Sequence, residues 1–147
     1  RERADTLGIA GRLRFAGPLT SRELSATYGA ADLLVLPTRA ETYGMVVAEA
    51  LARGVPVVAS GVGGVPDALG RGADGVLPGV LVRADDPPGL AYALRRWLTD
   101  GGHRRRLRTA ARSRRATLAP WSQTAAELSG LLSRLDEPDG AERRTSG

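Results

Sequence analysis

Two residue types are missing altogether from the 147 residues: the chain has no cysteine and no lysine. The first absence excludes disulfides, thiolate metal sites and thiol nucleophiles, and it suits a reducing compartment. The second leaves a net charge of +5 that rests on arginine alone. Beside abundant alanine, glycine and proline, such a balance reads as the codon bias of a GC-rich genome before it reads as a nucleic-acid partner. Aromatic residues are scarce as well, with one Phe, two Trp and three Tyr. Bases would find few surfaces to stack on, no nucleic-acid-binding module is recognisable, and no nucleic acid is expected. No apolar run approaches the roughly 20 residues of a spanning helix, and no signal peptide opens the chain. Cytoplasm is the default compartment, with peripheral contact at the cytoplasmic membrane face as its one extension. The single histidine, His103, follows Gly101-Gly102 at a helix start and reads as a surface residue.

What is present is an alternation of short apolar runs with helical patterns. That points to an α/β layer fold, a Rossmann-like parallel sheet flanked by helices. Strands are expected at residues 12–16, 33–36, 57–60 and 79–82. Helices are expected at 21–29, 43–53, 88–99, 103–118 and 122–135, with a short turn after Pro66. Thr20 or Ser21 would cap the first helix, with Glu23 early in it. The length allows one domain with one core, residues 1–135, followed by a charged, Pro/Gly-containing tail, 136–147, expected to be disordered. Seven arginines, Arg104, Arg105, Arg106, Arg108, Arg112, Arg114 and Arg115, fall in one predicted helix with no acid among them. A solvated face is the ordinary explanation, and attraction to anionic lipid headgroups the sharper one.

Residues 36–60 hold the most informative feature, the carboxylates Glu41 and Glu49. The stretch reads as a strand end, a loop, a helix closed by Gly54 and a second strand, a unit with a polar ligand site at its carboxyl edge. The helix is apolar nearly all round, through Met45, Val46, Val47, Ala48, Ala50, Leu51 and Ala52, and so belongs in an interior. A carboxylate there needs a partner or a ligand, because an unpaired ionised group in a dry core is costly. Two readings stand side by side: an i,i+4 pair with Arg53, worth about 0.2–0.5 kcal/mol, or a bound molecule. For Glu41 the choice lies between a capping box with Thr38 as N-cap and a loop position. The box would carry the helix through Gly44, a poor helix-interior residue that suits close approach of backbone to a ligand, so the loop is preferred. Downstream, Gly61-Val62-Gly63-Gly64 lacks a phosphate-loop register and reads first as a sharp turn and second as sugar-facing.

In this stretch Pro37-Thr38-Arg39-Ala40-Glu41-Thr42-Tyr43-Gly44 is followed by Glu49-Ala50-Leu51-Ala52-Arg53-Gly54-Val55-Pro56-Val57-Val58-Ala59. It resembles the signature of retaining GT-B glycosyltransferases of family four, with Thr38 for Ser, Thr42 for Gly and Tyr43 for Phe. The resemblance extends from Leu13-Arg14-Phe15-Ala16-Gly17-Pro18-Leu19 through Tyr28-Gly29-Ala30-Ala31-Asp32 to Val62-Gly63-Gly64-Val65-Pro66-Asp67 and on to Asp74-Gly75 and the 86–98 helix. It implies the C-terminal, nucleotide-sugar-binding half of a GT-B fold. Glu49 would hydrogen-bond the ribose hydroxyls of a UDP-sugar or GDP-sugar, and Glu41, the catalytic-site carboxylate, would contact the transferred hexose. Backbone N–H groups at Thr42, Tyr43, Gly44, Met45 and Val46 would face sugar and diphosphate from a helix N-terminus, with Gly44 admitting the phosphate. The turn containing Gly17 and Leu19 would lie at the base.

The same resemblance implies no metal and no cofactor beyond the donor. It also implies a missing N-terminal acceptor domain and a missing Gly-rich loop with an Arg and a Lys, so that the chain alone would be inactive. The acceptor, whether glycan, glycolipid or small molecule, is unidentified. A sugar-nucleotide epimerase and a non-catalytic nucleotide-sugar-binding module are the alternative functions. Asp67 reads as a helix-start residue, and Trp121 as the opening of a final helix.

Overall fold

The computed structural model describes residues 1–118. Three parallel strands form one sheet in the order β1 (Leu34–Leu36), β2 (Val57–Ser60), β3 (Gly79–Val82), with Leu34 beside Val57 and Val57 beside Gly79. Around them lie α1 (Glu2–Thr6), α2 (Ser21–Ala30), α3 (Met45–Leu51), α4 (Val65–Leu69), α5 (Pro87–Thr99) and α6 (Gly101–Thr117), with a 3-10 turn at Ala10–Arg12. The expected helix at 122–135, opened by Trp121, and the tail at 136–147 lie outside the described residues.

β2 is a Val-Val-Ala-Ser run between Pro56 and Gly61, and it is buried at every position, as befits a middle strand covered on both faces. Val47, Ala50 and Leu51 of α3 meet Val57 and Ala59 there, and Val65, Leu69 and Ala111 close the same core. The helix starts follow local chemistry. Thr20 caps α2 in a full capping box: its backbone N–H donates to Glu23 Oε2 at 2.9 Å and its hydroxyl accepts from the Glu23 N–H. That bonding holds the Glu23 carboxyl below the usual range. Asp86 accepts from the Gly89 N–H ahead of Pro87 at the start of α5. Asp100 both ends α5 and accepts from the His103 N–H at 2.8 Å to start α6.

Four expectations change. Residues 12–16 form no strand: Arg12 closes the 3-10 turn, Leu13 is extended, and Leu13 and Phe15 are exposed. The sheet of the described residues consists of β1, β2 and β3 alone, and the segment before α2 pairs with none of them. Its local preference is met, but no ladder partner exists among the described residues. The 43–53 helix is shorter, Met45–Leu51, and one-sided: Val47, Ala50 and Leu51 are fully buried, whereas Met45 is 51% and Val46 37% exposed. His103 is buried, with Nδ1 lacking a partner among the described residues. Its first-turn position turns it inward on the face of Leu107, Ala110 and Ala111, the other buried residues of α6.

The arginines of α6 are not simply a solvated face either. Arg104 Nη1 donates to the Trp97 and Leu98 carbonyls, closing the end of α5. Arg108 pairs with Asp32, and Arg114 Nε donates to the Leu69 carbonyl at 3.2 Å. These three tie α6 to its neighbours.

Candidate functional site

The loop after β1 carries Glu41 and turns directly into α3. Thr38 does not cap a helix; its hydroxyl donates to the Ala40 carbonyl at 2.6 Å, and the loop reading of Glu41 holds. Glu41 is half-buried, and its Oε1 accepts from the Gly44 N–H at 3.1 Å. Gly44 is the N-cap of α3 with φ 68°, a left-handed conformation that favours glycine. A side chain on Gly44 would lie 2.7 Å from Ala68 Cβ and 3.0 Å from the Gly64 carbonyl oxygen. On the side where a Cβ would stand, α4 and its cap fill the space, so the close packing of these two helix starts requires glycine here.

The glycine-rich run explains itself in the same contact. Gly64 N–H donates to the Glu41 carbonyl at 3.2 Å. A Cβ on Gly63, whose φ is 51°, would sit 1.6 Å from that carbonyl oxygen, and one on Gly64 would sit 2.6 Å from the Thr42 carbonyl oxygen. Backbone lies on backbone, so the turn after β2 fixes the Glu41 loop.

Glu49 sits one turn into α3, half-buried. Its Oε2 accepts from the Tyr28 hydroxyl at 3.1 Å. Arg53 makes no ion pair with it; Arg53 Nη1 donates instead to the Glu49 backbone carbonyl at 3.0 Å, and the guanidinium lies 4.9 Å from the Tyr28 ring centroid. The i,i+4 pair is thus replaced by a hydroxyl from α2, because Arg53 gains both a carbonyl and an aromatic face by turning away. Burial raises the Tyr28 phenol above its ordinary value, and the bond to the charged Glu49 acts in the same direction, with Arg53 opposing. Sequence reasoning quoted Tyr28 only as part of a motif. Its signal was a lone tyrosine at the end of a helix whose neighbours are small.

Thr42, Tyr43, Met45 and Val46 are exposed beside these carboxylates, Tyr43 at 76%. The N–H groups of Met45 and Val46 have no acceptor among the described residues, as the first turn of a helix requires when no side chain caps it. Gly17 and Leu19 stay in the segment before α2, and no hydrogen bond joins them to the Glu41 loop. Asp67 lies exposed in the first turn of α4, as its helix-start reading requires.

At the carboxyl ends of all three strands a cavity of about 340 Å³ opens between Pro37, Arg39, Ser60, Val82, Arg83 and Asp85. This is where ligands bind in open α/β sheets. Neither Glu41 nor Glu49 lines it; they stand beside it on the loop and helix that follow β1. Arg39 Nε pairs with Asp85 Oδ1 at 2.7 Å across its mouth, with both side chains largely exposed. Arg39, Ser60, Arg83 and Asp85 form no chemical motif of their own in the sequence; their one signal is that each ends or follows a strand, the positions that line such a crevice.

The sequence profile described as Glycosyl transferases group 1 matches residues 1–114. The chain belongs to this family. D-inositol 3-phosphate glycosyltransferase of Corynebacterium glutamicum is 40% identical over 131 residues, covering 89% of this chain and 30% of the relative. The protein of the same name from Salinispora tropica is 43% identical over 127 residues, covering 86% and 25%. The chain thus spans about a third or less of the length of the curated relatives it matches.

Among solved structures, sucrose-phosphate synthase from Thermosynechococcus elongatus superposes with a TM-score of 0.77 at 31% identity, over 91% of this chain and 33% of that one. The C-terminal domain of a group 1 family glycosyl transferase from Francisella tularensis gives 0.66 at 23% identity, over 79% and 58%, a likeness of fold. The sheet and its helices are the Rossmann-like half of a GT-B glycosyltransferase fold. No helix among the described residues is long and apolar enough to cross a membrane.

Proposed function

We propose that this group 1 glycosyl transferase chain is the donor-binding domain of a retaining enzyme that moves a hexose from a UDP- or GDP-sugar to an acceptor hydroxyl. The observation that carries the reading is the pair of carboxylates bracketing the start of α3, each held by one oxygen. Glu41 Oε1 is engaged by Gly44 N–H and Glu49 Oε2 by Tyr28, while no donor meets the second oxygen of either among the described residues. Acceptor-only oxygens fixed in this way suit diols: Glu49 the ribose, Glu41 the hexose. Glu41 positions the sugar, and the free N–H groups of Met45 and Val46 favour the charge that grows on the leaving diphosphate.

As the bond from the anomeric carbon to the diphosphate breaks, the acceptor oxygen bonds to that carbon on the same face and its proton departs with the diphosphate. The rest of the relatives' length leaves room for an acceptor-binding half. The names of the two relatives make a phosphorylated cyclitol the first acceptor to try. No metal takes part in this reading, and its compartment is the cytoplasm. The test is an assay of the complete protein with labelled UDP- and GDP-hexoses, with and without D-inositol 3-phosphate and a panel of glycans and lipids. Acceptor-dependent transfer with retained anomeric configuration supports the reading. Acceptor-independent conversion of the sugar nucleotide would point to an epimerase, and binding without turnover to a non-catalytic module.

A further inference from the structure

A second cavity, of about 280 Å³, opens at the opposite end of the sheet, with Tyr28, Asp32, Arg53, Pro56, Arg108 and Arg112 in its walls. Asp32 and Pro56 precede β1 and β2, so this cavity faces the amino ends of the strands, away from the crevice. Three arginines and a single acid line it, and of the three only Arg108 pairs with that acid.

Like charges gather at such density only where something holds them. Arg53 is fixed by the Glu49 carbonyl at 3.0 Å and by the Tyr28 ring at 4.9 Å. Arg108 is fixed by Asp32 and lies 5.7 Å from the Trp97 ring centroid. Each pinned guanidinium spends only part of its five donors on these partners. Arg112 makes no hydrogen bond or ion pair among the described residues. Two forks are thus pre-oriented, and a third is free to swing onto a guest. Along α6, Arg105, Arg108, Arg112 and Arg115 recur at spacings of three and four residues and share one face, which extends the positive field beyond the cavity.

We propose that this cavity is an anion site for a phosphate monoester, with Arg53, Arg108 and Arg112 as its ligands and Asp32 as the residue that positions Arg108. Planar forks match phosphate oxygens in pairs, and a compact, doubly charged group answers a cluster of three guanidiniums balanced by one acid. The same chemistry occurs on a free phosphate ester and on an anionic lipid headgroup. The site requires nothing of Glu41 and is independent of the donor reading.

The test titrates the 147-residue chain with inorganic phosphate at constant ionic strength, following the arginine Nε–H resonances by NMR. Saturable shifts confined to Arg53, Arg108 and Arg112 are expected. Arg112→Gln, an exposed change checked for an unaltered melting temperature, should weaken the affinity about tenfold. Arg115→Gln, on the same helix face but outside the cavity, should leave it nearly as it was. Flotation with phosphatidylcholine vesicles, plain or doped with phosphatidate, identifies the source. Phosphatidate binding that depends on Arg112 assigns a lipid headgroup, and phosphate binding without vesicle binding assigns a soluble ester. Non-saturating shifts spread over all arginines, or equal losses from Arg112→Gln and Arg115→Gln, would overturn the site in favour of a diffuse positive field.

Discussion

Replacing Tyr28 by Phe removes one oxygen and little else, which makes it a sharp probe of how Glu49 is held. The ring stays in its buried place, with 8% of its surface exposed, and Arg53 keeps its aromatic face. What disappears is the hydroxyl that donates to Glu49 Oε2 at 3.1 Å. A hydrogen bond to a charged group contributes about 1.5–3 kcal/mol. Glu49 is only half-buried, so water can take up the freed oxygen, and about 1 kcal/mol is the expected net loss. That corresponds to roughly a fivefold weaker affinity for the nucleoside diphosphate, because the carboxylate must be re-ordered on binding. Calorimetry on the complete protein measures it, beside a thermal melt. Unchanged affinity with an unchanged melt would show that Tyr28 does not position Glu49. A melt lowered by many degrees with intact affinity would make the hydroxyl a packing element only. A second readout needs no ligand: Glu49→Gln should lower the Tyr28 titration midpoint toward the ordinary phenol value, since the charged partner contributes to raising it. Carbon-13 tyrosine NMR resolves this.

Glu41→Gln should reduce turnover with the sugar donor while sparing affinity for the sugar-free nucleoside diphosphate; an equal loss of affinity for both would contradict its hexose-facing role. Gly63→Ala places a methyl group 1.6 Å from the Glu41 carbonyl oxygen at a positive φ, and should cost at least about 2 kcal/mol of unfolding free energy in a urea titration as the two loops part. Burial holds His103 below the ordinary imidazole value of 6.5, and Arg96 and Arg106 push it the same way. Its contribution to stability is complete above about pH 6.5 and is lost as the pH falls below that toward the folded value, because the unfolded chain takes up the proton first. Melts between pH 7.5 and 5 should therefore fall in the natural chain and fall less in His103→Leu.

The strands at 33–36, 57–60 and 79–82 were legible because each is a short, mostly apolar run bordered by Pro or Gly, and the parallel order followed from the helices between them. Residues 12–16 misled because periodicity reports a local preference while a strand exists only where a neighbour offers a ladder. The 43–53 helix misled for a related reason. Composition made it look buried on all sides, yet Met45 and Val46 face outward beside the crevice, and exposure of an apolar side chain leaves no mark on the sequence. Glu41 and Glu49 were found from their motif, and their settings were not. Arg53 chose a carbonyl and a ring over the carboxylate four residues back, a preference decided by Tyr28, 21 residues upstream of Glu49. The glycines at 63 and 64 were read as turn residues; that they carry the Glu41 loop on their backbones is a long-range contact no local pattern encodes. His103 was misplaced because a histidine beside two glycines says nothing of which way the helix that follows will face.

The central claim is that Glu49 holds the donor's nucleotide. Calorimetry of the complete protein with free UDP and GDP, before and after Glu49→Ala, tests it most directly. The account predicts a loss of about 1–3 kcal/mol for the nucleotide that binds, from removal of a charged acceptor facing the ribose diol, with little change in the melt because Arg53 bonds the backbone of residue 49 and not its side chain. Unchanged nucleotide affinity would leave Glu49 as a partner of Tyr28 alone and would contradict the proposed site.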